Sequence, residues 1–219
     1  MTETRYHTVL FDLDGTLIDS GKGITRCARH ALLHFGIDRE CSQLRPFVGP
    51  PLAYSFMEFA NLSREEAEEA IRIYRERYRD KGIYENEVYD GIPEILDCLR
   101  EAELTLAVAT SKAEPYAKQI LDICALSPYF QCVTGSEFDG RRTDKGEVIE
   151  ETMRRLNLRS KDADGIIMVG DRKFDAMGAR QNGIACIGAA YGYAPPDELD
   201  ISGFISIAGT PYDLPALIL

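Results

Sequence analysis

Short apolar runs alternate with helix-spaced apolar stripes along most of this chain, and that alternation constrains its fold more than any other feature. Residues 8–13, 105–110, 132–134, 165–169 and 185–187 read as buried strands. Between them, 92–100, 116–124 and 146–156 read as helices, the last with Val148, Ile149, Thr152, Met153 and Leu156 along one face. Strands alternating with helices of this length make βαβ units, and βαβ units make a parallel sheet covered on both faces. No internal repeat or low-complexity tract interrupts the pattern.

One segment departs from it. Residues 21–87 contain no convincing strand. Ile24, Cys27, Ala28, Ala31, Leu32 and Phe35 form a helical stripe that Gly36 can close as a C-cap. Pro51 can begin a second helix, because its fixed φ and missing N–H suit a first turn. Ser63-Arg64-Glu65-Glu66 is a capping box before a third, with Ala67, Ala70, Ile71, Tyr74 and Tyr78 as its buried stripe. The charges across 72–81 are expected on the wet face of that helix. The expected organisation is a discontinuous α/β core, residues 1–18 and 88–219, with a helical module at 19–87 inserted after the first strand.

Composition narrows the function classes. With 45% hydrophobic and 28% charged residues in 219, the chain can bury a core in each of two units. A formal net charge of -11 repels nucleic acid and anionic membrane surfaces, so neither is expected as a partner. A small anionic substrate remains compatible if a metal or fixed cations reverse the sign locally. The six cysteines show no metal-ligand spacing and are expected as reduced, buried small hydrophobes. The polar stretch 1–7 runs straight into a strand pattern, and no apolar run of membrane-spanning length follows. A cytoplasmic protein is expected, monomeric, with a dimer left open.

Polar groups gather just past the ends of three strands. They are Asp12 and Asp14 after Val9-Leu10-Phe11, Thr110 and Ser111 after Leu106-Ala107-Val108-Ala109, and Asp171 after Ile167-Met168-Val169-Gly170. Ligands of open parallel sheets bind outside the carboxyl ends of the strands, so these groups converge if the strands are neighbours. Crowded carboxylates disfavour one another's ionisation, and a divalent metal removes that cost; oxygen-only ligands favour magnesium. Aspartate can form a covalent phosphoryl intermediate, and Lys145 at the head of the 146–156 helix can neutralise phosphoryl oxygens together with the helix N-terminus.

These residues carry a resemblance. Asp12-Leu13-Asp14-Gly15-Thr16-Leu17 resembles the first motif of the haloacid dehalogenase superfamily, Thr110-Ser111-Lys112 its second, Lys145 its third, and Gly170-Asp171-Arg172-Lys173-Phe174-Asp175 its fourth. The four occur in the family's order, and the nearest branch is similar to phosphoglycolate phosphatases and nucleotidases, with a small helical cap. The resemblance implies a doubly wound, Rossmann-like α/β core and a magnesium-dependent phosphatase of small phosphate monoesters. It implies Asp12 as nucleophile and metal ligand, and Asp14 as general acid and base whose backbone carbonyl also meets the metal. It further implies that Thr110, Ser111 and Lys145 hold the phosphoryl group, that Asp171 completes the metal site, and that Asp175 supports it from behind or through water. Many relatives carry proline after the third-motif lysine, where this chain has Gly146.

Blander readings stand beside these. Asp12-Leu13-Asp14-Gly15 alone is compatible with a turn, and Lys145 and Asp175 alone with solvated or capping residues. Lys112 and Arg172 adjoin motif positions, and a solvent-facing place is open to both. The 45–52 loop, Arg45-Pro46-Phe47-Val48-Gly49-Pro50-Pro51-Leu52, suits either a tight inter-helix turn or a wall over the active site, with Lys22 and Arg26 as candidate anion contacts. His7, His30 and His34 give no catalytic pattern. A phosphosugar mutase of the same superfamily and a non-catalytic regulatory module are the alternatives. A carbon–halogen hydrolase is disfavoured by Asp14 and Asp171.

Overall fold

The computed structural model describes residues 6–195 and 197–219. Of the polar leader expected at 1–7, residues 1–5 lie outside the described residues. The core strands are β1 (Thr8–Phe11), β4 (Thr105–Ala113), β5 (Cys132–Ser136), β6 (Ile166–Gly170), β7 (Ala185–Ala189) and β8 (Ser206–Ala208). They form one sheet in the order β5-β4-β1-β6-β7-β8, with every pairing parallel. This is the doubly wound α/β core the alternation implies. From the central β1 the chain winds to β4 and β5 on one side, then crosses to β6, β7 and β8 on the other. The order therefore reverses at β1, which is where such sheets hold ligands.

The period of two along each strand divides the core cleanly. Val9 and Phe11, Leu106 and Val108, Ile167 and Val169 face one side, where α4 (Ile92–Glu101), α5 (Glu114–Ile123) and the short helix Leu214–Ile218 pack. Leu10, Ala107, Ala109, Ile166 and Met168 face the other, against α6 (Lys145–Arg155) and α7 (Lys173–Gln181). Both faces are apolar because both are covered, which explains the continuous rather than alternating hydrophobic runs.

The segment without a strand pattern holds α1 (Gly21–His34), a 3₁₀ turn at Cys41–Phe47, α2 (Leu52–Ala60) and α3 (Arg64–Asp80). It is entered and left through a two-stranded antiparallel ribbon, β2 (Ile18–Asp19) with β3 (Glu87–Val88), whose strands are too short to show a period. Pro51 stands one residue before α2, and Gly36 follows the α1 C-cap with φ 71°. The capping box is present: Glu66 N donates to Ser63 Oγ at 3.2 Å and Ser63 N to Glu66 Oε2 at 2.8 Å. Ser63→Ala is expected to cost about 1 kcal/mol, read as a lower urea midpoint at unchanged slope; an unmoved midpoint would remove the cap from the stability of α3.

Part of the charge run is not a wet face. Arg72, Glu76, Arg79, Asp80 and Lys81 are exposed. Arg77, however, turns in to Glu85 at 3.0 Å, and Arg75 stacks over the Phe138 ring at 5.1 Å. All six cysteines are thiols; Cys27 and Cys186 are buried, whereas the other four are only half-buried. Among the described residues no helix is long and apolar enough to cross a membrane.

Candidate active site

The register of β1 sets the geometry. Phe11 pairs with Val108 on one side and Val169 on the other, so Asp12 stands level with Ala109 and Gly170. Thr110 and Asp171 fall one residue further along. The three strand ends expected to converge do so, because β4, β1 and β6 are neighbours.

Asp12 is 2% exposed, and its Oδ1 accepts from Leu13 N at 2.8 Å and meets Lys145 Nζ at 2.9 Å. Both contacts fall on Oδ1, and Oδ2 takes part in neither. Lys145, the first residue of α6, is itself 4% exposed; its ammonium also lies 2.8 Å from Asp175 Oδ1 and donates to Ala109 O at 3.1 Å. Gly146 keeps an N–H that proline lacks, and that N–H donates to Asp144 Oδ1 at 2.8 Å, fixing the start of the helix that carries Lys145. Asp175 caps α7 with its other oxygen, which accepts from Arg172 N at 3.0 Å.

Asp171 has 0% exposure. Its Oδ2 accepts from Tyr193 N at 2.7 Å, while its Oδ1 is buried with no hydrogen-bond partner among the described residues. Two glycines make room for it. At Gly15, with φ 84°, a Cβ would stand 2.2 Å from Asp171 Oδ2. At Gly192 a Cβ would stand 2.4 Å from the Asp171 Cβ and 2.4 Å from Gly15 O. Gly15 thus carries both requirements, a left-handed backbone and a close approach, which is why a glycine follows the aspartate pair.

Asp12, Asp171 and Asp175 each offer an oxygen within 4.8 Å of the others. Lys145 pairs with two of these buried carboxylates, Asp12 and Asp175, and Asp171 has no ion pair with it. Burial, only partly offset by Lys145, raises Asp12 to about 6. Burial, then Asp175 and Asp12, push Asp171 well above the usual carboxylate range. Burial works against the charge on Lys145, but Asp12 and Asp175 outweigh it and hold the ammonium above its ordinary range. An oxygen-only cluster with too little positive charge and an orphaned carboxylate oxygen fits a hard divalent cation.

Asp14 is placed differently. Its carboxylate turns to Lys112, whose Nζ lies at 2.7 and 3.0 Å from its two oxygens, so the side chain stands outside the three-carboxylate cluster. Asp14, Ser111 and Lys112 line a cavity of about 170 Å³. Phe47, Gly49, Pro50, Pro51 and Leu52 from the helical segment line its opposite wall, with Tyr74 and Tyr78 of α3. Thr110 is buried within β4, its Oγ1 accepting from Lys112 N at 3.3 Å, and Ser111 Oγ is buried with no partner among the described residues.

Several expectations need correction. Lys112 and Arg172 do not face solvent: their side chains are 8% and 4% exposed, and Arg172 donates to Val48 O at 2.5 Å and to Glu198 Oε1 at 2.9 Å. Lys22 and Arg26 are exposed and neither lines the cavity, Arg26 being paired to Glu85 at 2.8 Å. His7, His30 and His34 are exposed, away from the buried cluster. Pattern reading did not find Tyr74, Tyr78 and Tyr116 as cavity walls, or Tyr193 N on Asp171.

The comparisons agree with this geometry. The model of the haloacid dehalogenase-like hydrolases matches residues 9–189. A 5'-nucleotidase of Pseudomonas aeruginosa is 45% identical over 196 residues, 89% of this chain and 87% of that one. The tyrosine-protein kinase PtkA of Mycobacterium tuberculosis is 40% identical over 193 residues, 88% of this chain but only 65% of its own length. The crystal structure of a predicted phosphatase from Clostridium acetobutylicum superposes with a TM-score of 0.94 at 42% identity, covering 97% of this chain and 98% of that one. With the family model spanning most of the chain and the motif residues gathered at one sheet edge, this protein belongs to the haloacid dehalogenase-like hydrolases and is an enzyme of the phosphoric monoester hydrolase class.

Proposed function

We propose that the chain is a magnesium-dependent phosphatase of small organic phosphate monoesters, working through a phosphoaspartate on Asp12. The observation that carries this reading is the buried Asp12–Lys145 pair inside the Asp171 and Asp175 cluster, with Asp14 two residues on at the cavity. In the first step an Asp12 carboxylate oxygen attacks phosphorus, the bond to the leaving oxygen breaks, and Asp14 delivers a proton to that oxygen. In the second, Asp14 takes a proton from water, the water oxygen attacks the phosphoaspartate, and inorganic phosphate leaves with Asp12 restored. Lys145, Thr110 and Ser111 hold the transferring group in line. Asp12, Asp171 and the Asp14 carbonyl would hold magnesium, with Asp175 behind; when bound it supplies charge neutralisation of the phosphoryl oxygens.

The division into a core, 1–18 and 88–219, and a lid, 19–87, belongs to the same reading. Its support is that α1 to α3 enter and leave through the β2–β3 ribbon and that 47–52 walls the cavity over Asp14. A lid of this size favours compact leaving groups and excludes a side chain on a folded protein surface. Metabolite phosphates, nucleoside monophosphates and phosphoglycolate included, are expected to exceed phosphoproteins by at least about 10²-fold in kcat/KM, roughly 2.7 kcal/mol.

A magnesium-supplemented panel of small phosphates, read as released phosphate, tests the reading. Turnover without any bisphosphate activator separates hydrolysis from mutase chemistry, and a phosphoprotein as best substrate would sink the lid argument. Specificity is best probed at Leu52, which lines the cavity and is half-buried. Leu52→Ser is expected to reorder the metabolites while p-nitrophenyl phosphate changes little. Phe47 is a poorer probe: it is 2% exposed, its ring centroid lies 5.2 Å from that of Phe56, and truncating it to alanine would cost about 3–5 kcal/mol of stability.

A further inference from the structure

Lys112 is a buried cation that the mechanism above does not use. It stands on β4 two residues past Thr110, where the pairing with β5 slips between Ala109 and Ala113. Burial would drive off its proton, but Asp14 first and then Tyr78 outweigh that and raise the ammonium above its usual range. Nζ grips both oxygens of Asp14, at 2.7 and 3.0 Å, and lies over the Tyr78 ring, 4.8 Å from its centroid. Tyr78 is 1% exposed and belongs to α3, in the inserted helical segment. One ammonium therefore joins the carboxylate of the core to an aromatic ring of the lid.

We propose that Lys112 is a positioning residue that fixes the Asp14 carboxylate for proton transfer, and that Tyr78 completes its cage only when the lid lies over the core. Three physical points support it. A carboxylate held by two contacts from one ammonium loses its freedom to rotate, and proton transfer needs its donor within hydrogen-bond reach of the leaving oxygen. An ammonium against a ring face is attracted more strongly when desolvated, so lid closure strengthens the grip rather than competing with it. Finally, the ammonium is engaged by Asp14, while Asp12 has Lys145, so the two catalytic carboxylates are oriented by separate cations.

The proposal rests on the phosphatase reading, and its test separates the two. Lys112→Met keeps an unbranched side chain one atom shorter and removes the charge. Its kcat/KM, which reports phosphoenzyme formation, is expected to fall about 10²-fold for an alkyl phosphate but under about 5-fold for p-nitrophenyl phosphate, whose leaving group needs little protonation. Lys112→Arg is expected to recover most of the loss. In the Asp14→Asn background, Lys112→Met is expected to cost nothing further, because a residue acting through Asp14 has nothing left to orient. That double variant also covers the case in which Lys112→Met alone folds poorly from an unpaired buried carboxylate. Equal losses for both esters, or a full additional loss on the Asp14→Asn background, would overturn the assignment while leaving the phosphatase intact. A wild-type protein inactive on both esters would overturn the two together.

Discussion

Asp12→Asn is expected to lower turnover by at least about 10³-fold, more than 4 kcal/mol of transition-state stabilisation, while the protein stays folded. The amide fills the same space and can keep the bond from Leu13 N, but it has no electron pair on oxygen basic enough to displace an alkoxide. The electrostatics make the stability outcome specific. Burial raises Asp12, and Asp175 and Asp14 add to that, so the ionised carboxylate is a burden on the metal-free fold. A neutral amide removes it, and the variant without metal should melt no lower than the wild type. Acid-quenched wild-type enzyme should carry label from a phosphate ester on Asp12, and the variant should carry none. Retention of more than a few per cent of activity, or label in the variant, would place the nucleophile elsewhere.

How much of this was legible in the chain differs by kind of feature. Most core strands and the helices α4, α5 and α6 show because each is long enough to repeat its period, and because burial on both faces makes the strand runs uniformly apolar; α7 is not among the helices read from the pattern. Asp12, Thr110 and Asp171 show because they follow the apolar strand runs of a parallel sheet, and Lys145 because it heads the α6 helix pattern. What did not show depends on partners distant in sequence. Lys112 near the end of β4 and Arg172 in the bend before α7 are charged residues beside motif positions, for which exposure is the ordinary outcome. Their burial follows only from Asp14, 98 residues away, and from Val48, 124 away. Conversely, Lys22 and Arg26 are near Asp14 in sequence, yet the turn into α1 carries them off, and Arg26 is used by Glu85. The ribbon of β2 and β3 and the three-residue β8 are too short for any pattern. Tyr74 and Tyr78 belong to an amphipathic stripe on α3 and Tyr116 to α5, and a stripe alone does not say whether it faces a core or a cavity.

Magnesium is expected to be required, and its effect on stability should carry a pH signature. Chelator should lower activity by at least about 10²-fold, and added magnesium should restore it. Asp171→Asn should raise the magnesium requirement sharply, because Asp171 Oδ1 is a buried carboxylate oxygen with no hydrogen-bond partner among the described residues. Removing charge there should also leave the metal-free protein as stable as the wild type or more so, since burial, Asp175 and Asp12 all disfavour the ionised form. The sign of the pH dependence follows from Asp12, raised from 3.8 to about 6. The metal-free fold holds this proton more tightly than the unfolded chain does, so the group's contribution is fully present below about pH 4 and is lost as pH rises through about 6. A divalent cation needs the deprotonated carboxylates, so it competes with that proton, and its apparent affinity should rise over the same window. The magnesium-induced rise in Tm should be small at pH 4 and large at pH 7, where saturation at a hundred times Kd would add about 2.7 kcal/mol. Asp12→Asn should weaken the pH dependence without abolishing it, since it removes one raised carboxylate and leaves Asp171 as another. A magnesium effect on Tm that is the same at pH 4 and pH 7, or full activity in excess chelator, would take the cation out of the Asp12 and Asp171 cluster.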